Sequence, residues 1–147
     1  MSFLNSFDIS ASGMTAQRQR LDIAAENISN INTTRTESGG PYRRKLVVLQ
    51  EKPSASFRSV FNSRLNKALS TKGGVQVSEI IEDQRDLSPV YNPEHPDADE
   101  NGYVMMPNVD LVKETVDGMS ATRSYEANIT AFNAIKLMAQ KALEIGK

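Results

Sequence analysis

Residues 7–31, FDISASGMTAQRQRLDIAAENISNI, place an apolar side chain at every seventh position: Phe7, Met14, Leu21 and Ile28. Ala11, Ala25 and Ile31 fill much of the intermediate track, as one stripe of an α-helix requires. The far end of the chain repeats the pattern. Val109, Val112, Val116 and Met119 open a second stripe, which resumes at Tyr125, Ile129, Phe132, Ala139 and Leu143, one residue out of strict heptad phase. Two helices with narrow apolar seams at opposite ends of a sequence satisfy each other by pairing, or satisfy copies of themselves. Arg18 and Arg123 fall on or near these seams, so each helix is weak in isolation, because helix nucleation is costly and tertiary packing supplies most helical stability. The pattern points towards an assembly subunit.

Working inwards, Asp8, Ser10 and Ser12 offer N-caps for the first helix, and the Gln, Arg, Leu and Ala content of residues 17–26 favours it. The run from Asn32 to Pro41 loses all periodicity and gathers turn formers, so the helix stops there. Tyr42 to Leu49 reads as a strand, and Val75 to Glu82 alternates as a second strand able to pair with it. Between them, Phe57, Val60, Phe61, Arg64, Leu65, Ala68 and Leu69 have the spacing of a short basic amphipathic helix, closed by Gly73-Gly74. Such a helix can lie on a membrane or on nucleic acid, but its simplest use is to cover a sheet. Four prolines between Ser88 and Pro107 exclude a continuous helix there, with a short strand at Tyr103 to Met106. Asp110 then caps a helix reaching Ile145, roughly 50 Å long at 1.5 Å per residue. The fold class is α+β, with long terminal helices pairing in coiled-coil fashion around a small β-rich centre. Its parts are residues 1–34, 35–106 with the 53–72 segment inserted, and 107–147.

Composition narrows the chemistry. The 147 residues include no cysteine, which removes disulfides and thiolate metal sites. No basic stretch leads into a continuous apolar run at the start, so no cleaved secretory signal is expected, and nothing approaches the roughly 20 apolar residues that span a bilayer. Direct membrane insertion is therefore not expected. Net charge is near zero but uneven: Pro41 to Val75 holds eight Lys/Arg against one Glu, and Gln76 to Gly102 holds eight acids against Arg85. Such blocks complement one another within a subunit or between copies.

Catalysis needs a nucleophile, a base and a hole for developing charge, and the chain offers none of these at suitable spacing. The single histidine, His95, reads as an exposed loop residue. Asp97-Ala98-Asp99-Glu100-Asn101-Gly102 matches the opening of a calcium-binding loop, but Asn108 stands where the closing carboxylate belongs and prolines exclude the flanking helices. The segment reads as an acidic turn. Nucleic-acid binding would rest on the basic block, whose aromatics Tyr42, Phe57 and Phe61 look like packing residues, so none is expected. Neither a catalytic group, a metal site nor a cofactor is expected.

The segment Ala24-Ala25-Glu26-Asn27-Ile28-Ser29-Asn30-Ile31-Asn32-Thr33 resembles the asparagine-rich N-terminal signature of bacterial flagellar rod and hook proteins. Met106-Pro107-Asn108-Val109-Asp110-Leu111-Val112-Lys113-Glu114, followed by Ser124-Tyr125-Glu126-Ala127-Asn128, resembles their C-terminal signature. Within the family, Asp8-Ile9-Ser10-Ala11-Ser12-Gly13 and Gly39-Gly40-Pro41-Tyr42-Arg43 look most like the proximal rod branch. The Thr33 to Tyr42 loop, longer than the Thr-Pro-Gly-Tyr of many hook and distal rod proteins, agrees. Glu26 departs from the asparagine that relatives often carry there.

The resemblance implies a non-enzymatic axial subunit, exported unfolded through the flagellar type III export apparatus without a cleaved signal. It implies helical self-association into a hollow rod across the periplasm, with the terminal helices as the inner layer. The implied neighbours are other flagellar rod proteins and the adaptor at the rod base. The expected assembly seam is Phe7, Met14, Leu21, Ile28, Ile31, Val109, Val112, Val116, Met119, Tyr125, Ile129, Phe132 and Leu143. Asn27 and Asn30 join it from the assembly motif, where amides bridge packed helices or cap a helix end. A second reading, a secreted partner-binding protein outside any filament, would use the same helices as a small closed bundle.

Overall fold

Local sequence places six elements in order: α1 (Phe3–Ser29), β1 (Lys45–Glu51), β2 (Val75–Glu82), β3 (Ser88–Tyr91), β4 (Tyr103–Met106) and α2 (Leu111–Ile145). The structure is a computed structural model that describes residues 3–37, 39–52 and 73–145. The helix expected over 53–72 lies outside the described residues. The fold is α+β, with two long helices packing together and two small sheets between them in sequence.

α1 starts earlier than its polar residues suggest, so Asp8, Ser10 and Ser12 lie inside the helix and do not cap it. Ser12 shows why this is tolerated: its hydroxyl donates to the Ile9 carbonyl at 2.7 Å and accepts from the Val75 N–H at 3.1 Å, joining helix to sheet. The C-terminal end is closed by Asn30. Its N–H and its Nδ2 both donate to the Glu26 carbonyl, at 3.1 and 2.9 Å. α2 begins as expected, with Asp110 Oδ1 accepting from the N–H groups of Val112 and Lys113 at 3.0 and 3.3 Å.

β1 and β2 form one two-stranded sheet. β1 starts at Lys45 and not at Tyr42, because the N–H groups just before it are spent elsewhere: Tyr42 donates to the Thr33 carbonyl and Arg44 to Asn108 Oδ1. β3 and β4 pair antiparallel with Ser88 opposite Met106 and Tyr91 opposite Tyr103. β3 is absent from the sequence reading because it contains Pro89. A two-stranded sheet is all edge, and there a proline is tolerated. Gly102, at φ +76°, closes the β3–β4 connection, where a Cβ would stand 3.0 Å from the Tyr91 ring.

The chain divides into two compact units, each built from both ends of the sequence. The first comprises 1–18, 49–78 and 122–147. Here the rings of Phe7 and Phe132 meet edge to face at 4.7 Å, Ala16 is buried, and Asn128 lies so close to Gly13 that a Cβ there would be 2.8 Å from Asn128 Oδ1. The second comprises 19–48 and 79–121. It buries Ala24, Tyr42, Val104 and Ala121, together with Asn27, Asp83 and Glu114. Gly118 faces Leu21. In each unit the two helical segments run antiparallel.

Small residues make the close helix approach possible, since little side chain separates the backbones at Gly13, Ala16, Ala24, Gly118 and Ala121. On α2 the buried and half-buried positions are 114, 118, 121, 128, 132, 135 and 139, with Ser124 beside them. With Ser124 they step by three and four residues, the spacing of a coiled-coil seam. The expected stripe coincides with this track at Phe132 and Ala139. Val112, Val116, Met119, Tyr125, Ile129 and Leu143 are exposed.

Candidate functional site

Two features of the second unit and of the helix surfaces define the site. The first is a buried polar network. Asn27 and Glu114, both 1% exposed, come from opposite ends of the sequence and meet at 2.8 Å, Asn27 Nδ2 donating to Glu114 Oε2. Asn27 uses its whole hydrogen-bonding capacity. Its second amide proton goes to the Lys45 carbonyl at 2.9 Å, and its Oδ1 accepts from the Lys45 N–H and the Tyr42 hydroxyl, both at 2.9 Å. The side chain thus grips the first residue of β1 as a neighbouring strand would.

Arg44 completes the network from the other side. Its Nε donates to Glu114 Oε1 at 2.5 Å and its Nη2 to Asp117 Oδ2 at 3.1 Å, while Asp83 lies 3.9 Å from Nη1. Asn108 accepts from the Arg44 N–H and donates to the carbonyls of Asp83 and Arg85, fixing the segment that leads into α2. Lys45 reaches Glu26 at 2.5 Å and lies over the Tyr42 ring. Part of the basic block is therefore neutralised by acids of its own chain. Among the described residues, no buried side-chain polar atom lacks a partner.

This environment shifts two groups. Hydrogen bonds from the Arg85 side chain and backbone hold Asp83 below the usual carboxylate range. The Tyr42 phenol is pushed up to about 12, first by burial and then by the charges of Glu26, Glu114 and Glu82. A raised value means that the fold favours the neutral phenol. Its contribution is whole below the ordinary value near 10 and is lost as the pH rises towards about 12. In an ultraviolet titration of the folded chain, Tyr42 is expected to ionise later than an ordinary tyrosine, and Tyr42→Phe should abolish the late step. Normal titration of every tyrosine in the folded chain would contradict the geometry.

The second feature is what the intrachain seam leaves uncovered. Val112, Val116, Met119 and Leu137 lie more than about 130° around α2 from the buried Ala121, at 100° per residue. All four are exposed, Val112 by 71%; Met138 and Leu143 are exposed as well, Leu143 by 76%. A helix with apolar side chains on its back as well as its front has the composition of one enclosed by neighbours.

The expected seam residues distribute accordingly. Asn27 is fully buried, Phe7 and Phe132 meet, and Leu21 touches the Gly118 position while remaining 40% exposed. Met14, Ile28, Ile31 and Val109 are half-buried. Asn30 caps α1. Sequence reasoning missed Arg44, Tyr42, Asn108 and Glu114 as a set. The available signal was the polar residue in the seven-residue track of α2, Glu114, which an apolar-only search passes over.

In the acidic turn, Asp97 accepts from Thr34 Oγ1 at 2.8 Å, with Arg35 at 3.9 Å, and the Asp97 N–H donates to His95 Nδ1. Among the described residues no group of three or more His, Asp or Glu side chains is placed to hold a metal ion.

Asn27 and Glu114 fall in two separately recognisable segments. Residues 7–35 match the flagella basal body rod protein family, and residues 100–145 match the flagellar basal body rod FlgEFG protein C-terminal family. The chain belongs to the flagellar basal-body rod proteins and is a structural rod subunit of the flagellar basal body. Its similarity runs end to end with proteins named flagellar basal-body rod protein FlgC. It is 50% identical to that of Bacillus subtilis and 43% to that of Escherichia coli O6:H1, over the whole of each chain. It is 39% identical to that of Borreliella burgdorferi over 99% of this chain and 98% of the relative.

Proposed function

We propose that the chain polymerises through its terminal helices, chiefly by the outward apolar face of α2, into the hollow proximal rod, and that the polar network sets the two helices in register for that purpose. The observation that carries this reading is the exposed apolar back of α2, beside an intrachain seam in which glycine, alanine and polar residues predominate around the Phe7–Phe132 pair. Each Val or Leu buried on assembly contributes about 1.5–3 kcal/mol, and head-to-tail contacts repeat that gain along an open helical array. The exposed members of the expected seam, Leu21, Val112, Val116, Met119, Tyr125, Ile129 and Leu143, act in this reading as contacts between copies or between rod subunits, while Phe7, Asn27 and Phe132 serve the seam within one copy. Residues 1–34 and 107–147 form the inner layer and 35–106 the outer part.

The same features suit export through the type III apparatus without a cleaved signal. With no disulfide and few large buried apolar side chains among the described residues, the chain needs little work to unfold before threading. In this reading the rod crosses the periplasm, the neighbours are other rod proteins and the rod-base adaptor, and the role is mechanical and not enzymatic. A closed helical bundle acting outside a filament is disfavoured, because it would leave the back of α2 in water.

Electron micrographs of basal bodies from cells lacking this chain test the proposal. The rod should be missing or truncated at its base, with swimming abolished. A complete rod in those cells would overturn it.

A further inference from the structure

The β3–β4 hairpin carries an exposed aromatic face that the terminal helices do not explain. In its register Val90 pairs with Val104, which is buried, so alternation turns Pro89, Tyr91, Tyr103 and Met105 to the opposite side. The rings of Tyr91 and Tyr103 meet edge to face at 5.3 Å, and Tyr91 is 65% exposed. Around them Asp86, Glu94, Asp99 and Glu100 are exposed, and none has an ion-pair partner among the described residues. From Asp86 to Gly102 there are five acids and no Lys or Arg. An apolar patch with a rim of one sign is built for a partner of the other sign.

The same sequence contains such a partner. Residues 53–72 hold Arg58, Arg64, Lys67 and Lys72 with no acid, interspersed with Phe57, Phe61, Leu65 and Leu69. We infer that the Tyr91–Tyr103 face of one copy receives the basic, aromatic 53–72 stretch of a neighbouring copy, a second contact outside the terminal helices. This rests on the assembly reading above. In an open helical array, two different patches of one chain meet their complements on successive copies, as a head-to-tail contact requires. The aromatic pair supplies burial and orientation, and the acidic rim steers the approach and rejects like-charged surfaces.

The test uses the full chain in flagellated cells, with the photoreactive residue p-benzoylphenylalanine at Tyr91 or, separately, at Val116. Illumination at Tyr91 should give a covalent dimer whose linked peptide lies within 53–72. The triple change Glu94→Lys, Asp99→Lys, Glu100→Lys should lower its yield about tenfold, and adding Arg58→Glu and Arg64→Glu should restore it. A Tyr91 adduct within the same copy, to another protein, or to another region overturns the inference, and so does no adduct at all, provided Val116 still links to a rod subunit. If Val116 also links to nothing, the assembly reading falls with it.

Discussion

Replacing Glu114 by alanine is expected to destabilise the fold by about 3–5 kcal/mol, the usual cost of removing one partner from a buried ion pair. The change would leave the Arg44 guanidinium, whose side chain is 13% exposed, without its closest acceptor, and one Asn27 amide proton without any. Since a domain of this size has roughly 5–15 kcal/mol in total, that is a large share. The adjoining helix contact offers little compensation, because Gly118 and Ala121 contribute almost no apolar area. Urea unfolding followed by circular dichroism should show the loss, and the Lys45 amide proton, held by Asn27 Oδ1, should exchange with solvent much faster. Two further variants separate charge from packing. Glu114→Gln keeps an acceptor for Asn27 and should lose less, and Glu114→Leu combined with Arg44→Met should recover part of the loss, since apolar replacement of both partners is often tolerated. A loss below about 1 kcal/mol in Glu114→Ala would show that the network is peripheral.

A charge placed on the back of α2 should behave in the opposite manner, sparing the single chain and abolishing the rod. Val116 is 53% exposed, so Val116→Asp should change the stability of the isolated chain by no more than about 0.5 kcal/mol and leave its helicity intact. In an assembly that buries this position, an unpaired carboxylate costs several kcal/mol at every repeat, and each 1.4 kcal/mol is a tenfold loss of affinity. Cells carrying the variant should therefore fail to swim and lack rods in micrographs, while the purified chain remains soluble and helical. Val116→Ala, which removes apolar area without adding charge, should give a partial defect. Normal swimming with Val116→Asp would show that the apolar back of α2 faces solvent in the flagellum.

The two variants probe different levels of the same design. The polar network acts within a copy, where its fully satisfied partners accept one register of α1, β1 and α2 and penalise others. In the proposed rod the apolar back of α2 acts between copies. Separating the two functions would let a chain with a modest core keep a defined shape and still meet its neighbours with large apolar side chains.

Much of this was legible before any coordinates. Asp110 announces the start of α2 because capping is a local event, settled by a carboxylate and the two N–H groups that follow it. The alternation of Val75, Val77 and Glu79 located β2, because a strand repeats every two residues whatever it packs against. Asn30 could be read as a helix-end cap for the same reason, while Ser10 and Ser12 misled, because a serine within a helix looks like a cap until its tertiary partner is known. β3 was hidden by Pro89, whose effect depends on whether its strand lies at an edge.

The residues from Ala24 to Thr33 and from Met106 to Asn128 carry the family resemblance that pointed to the kind of protein, while the apolar stripes, Asp110 and the alternation from Val75 to Glu82 pointed to two long helices and an α+β class, because periodicity and capping are written in neighbouring positions. Tertiary structure alone decided which track of α2 turns inwards, and there it set Glu114, Gly118 and Ala121 against α1 and left Val112, Val116 and Met119 exposed. The physical reason lies in distance along the chain. Asn27 and Glu114 are 87 residues apart in sequence, and a hydrogen bond of that span leaves no period behind it to be read.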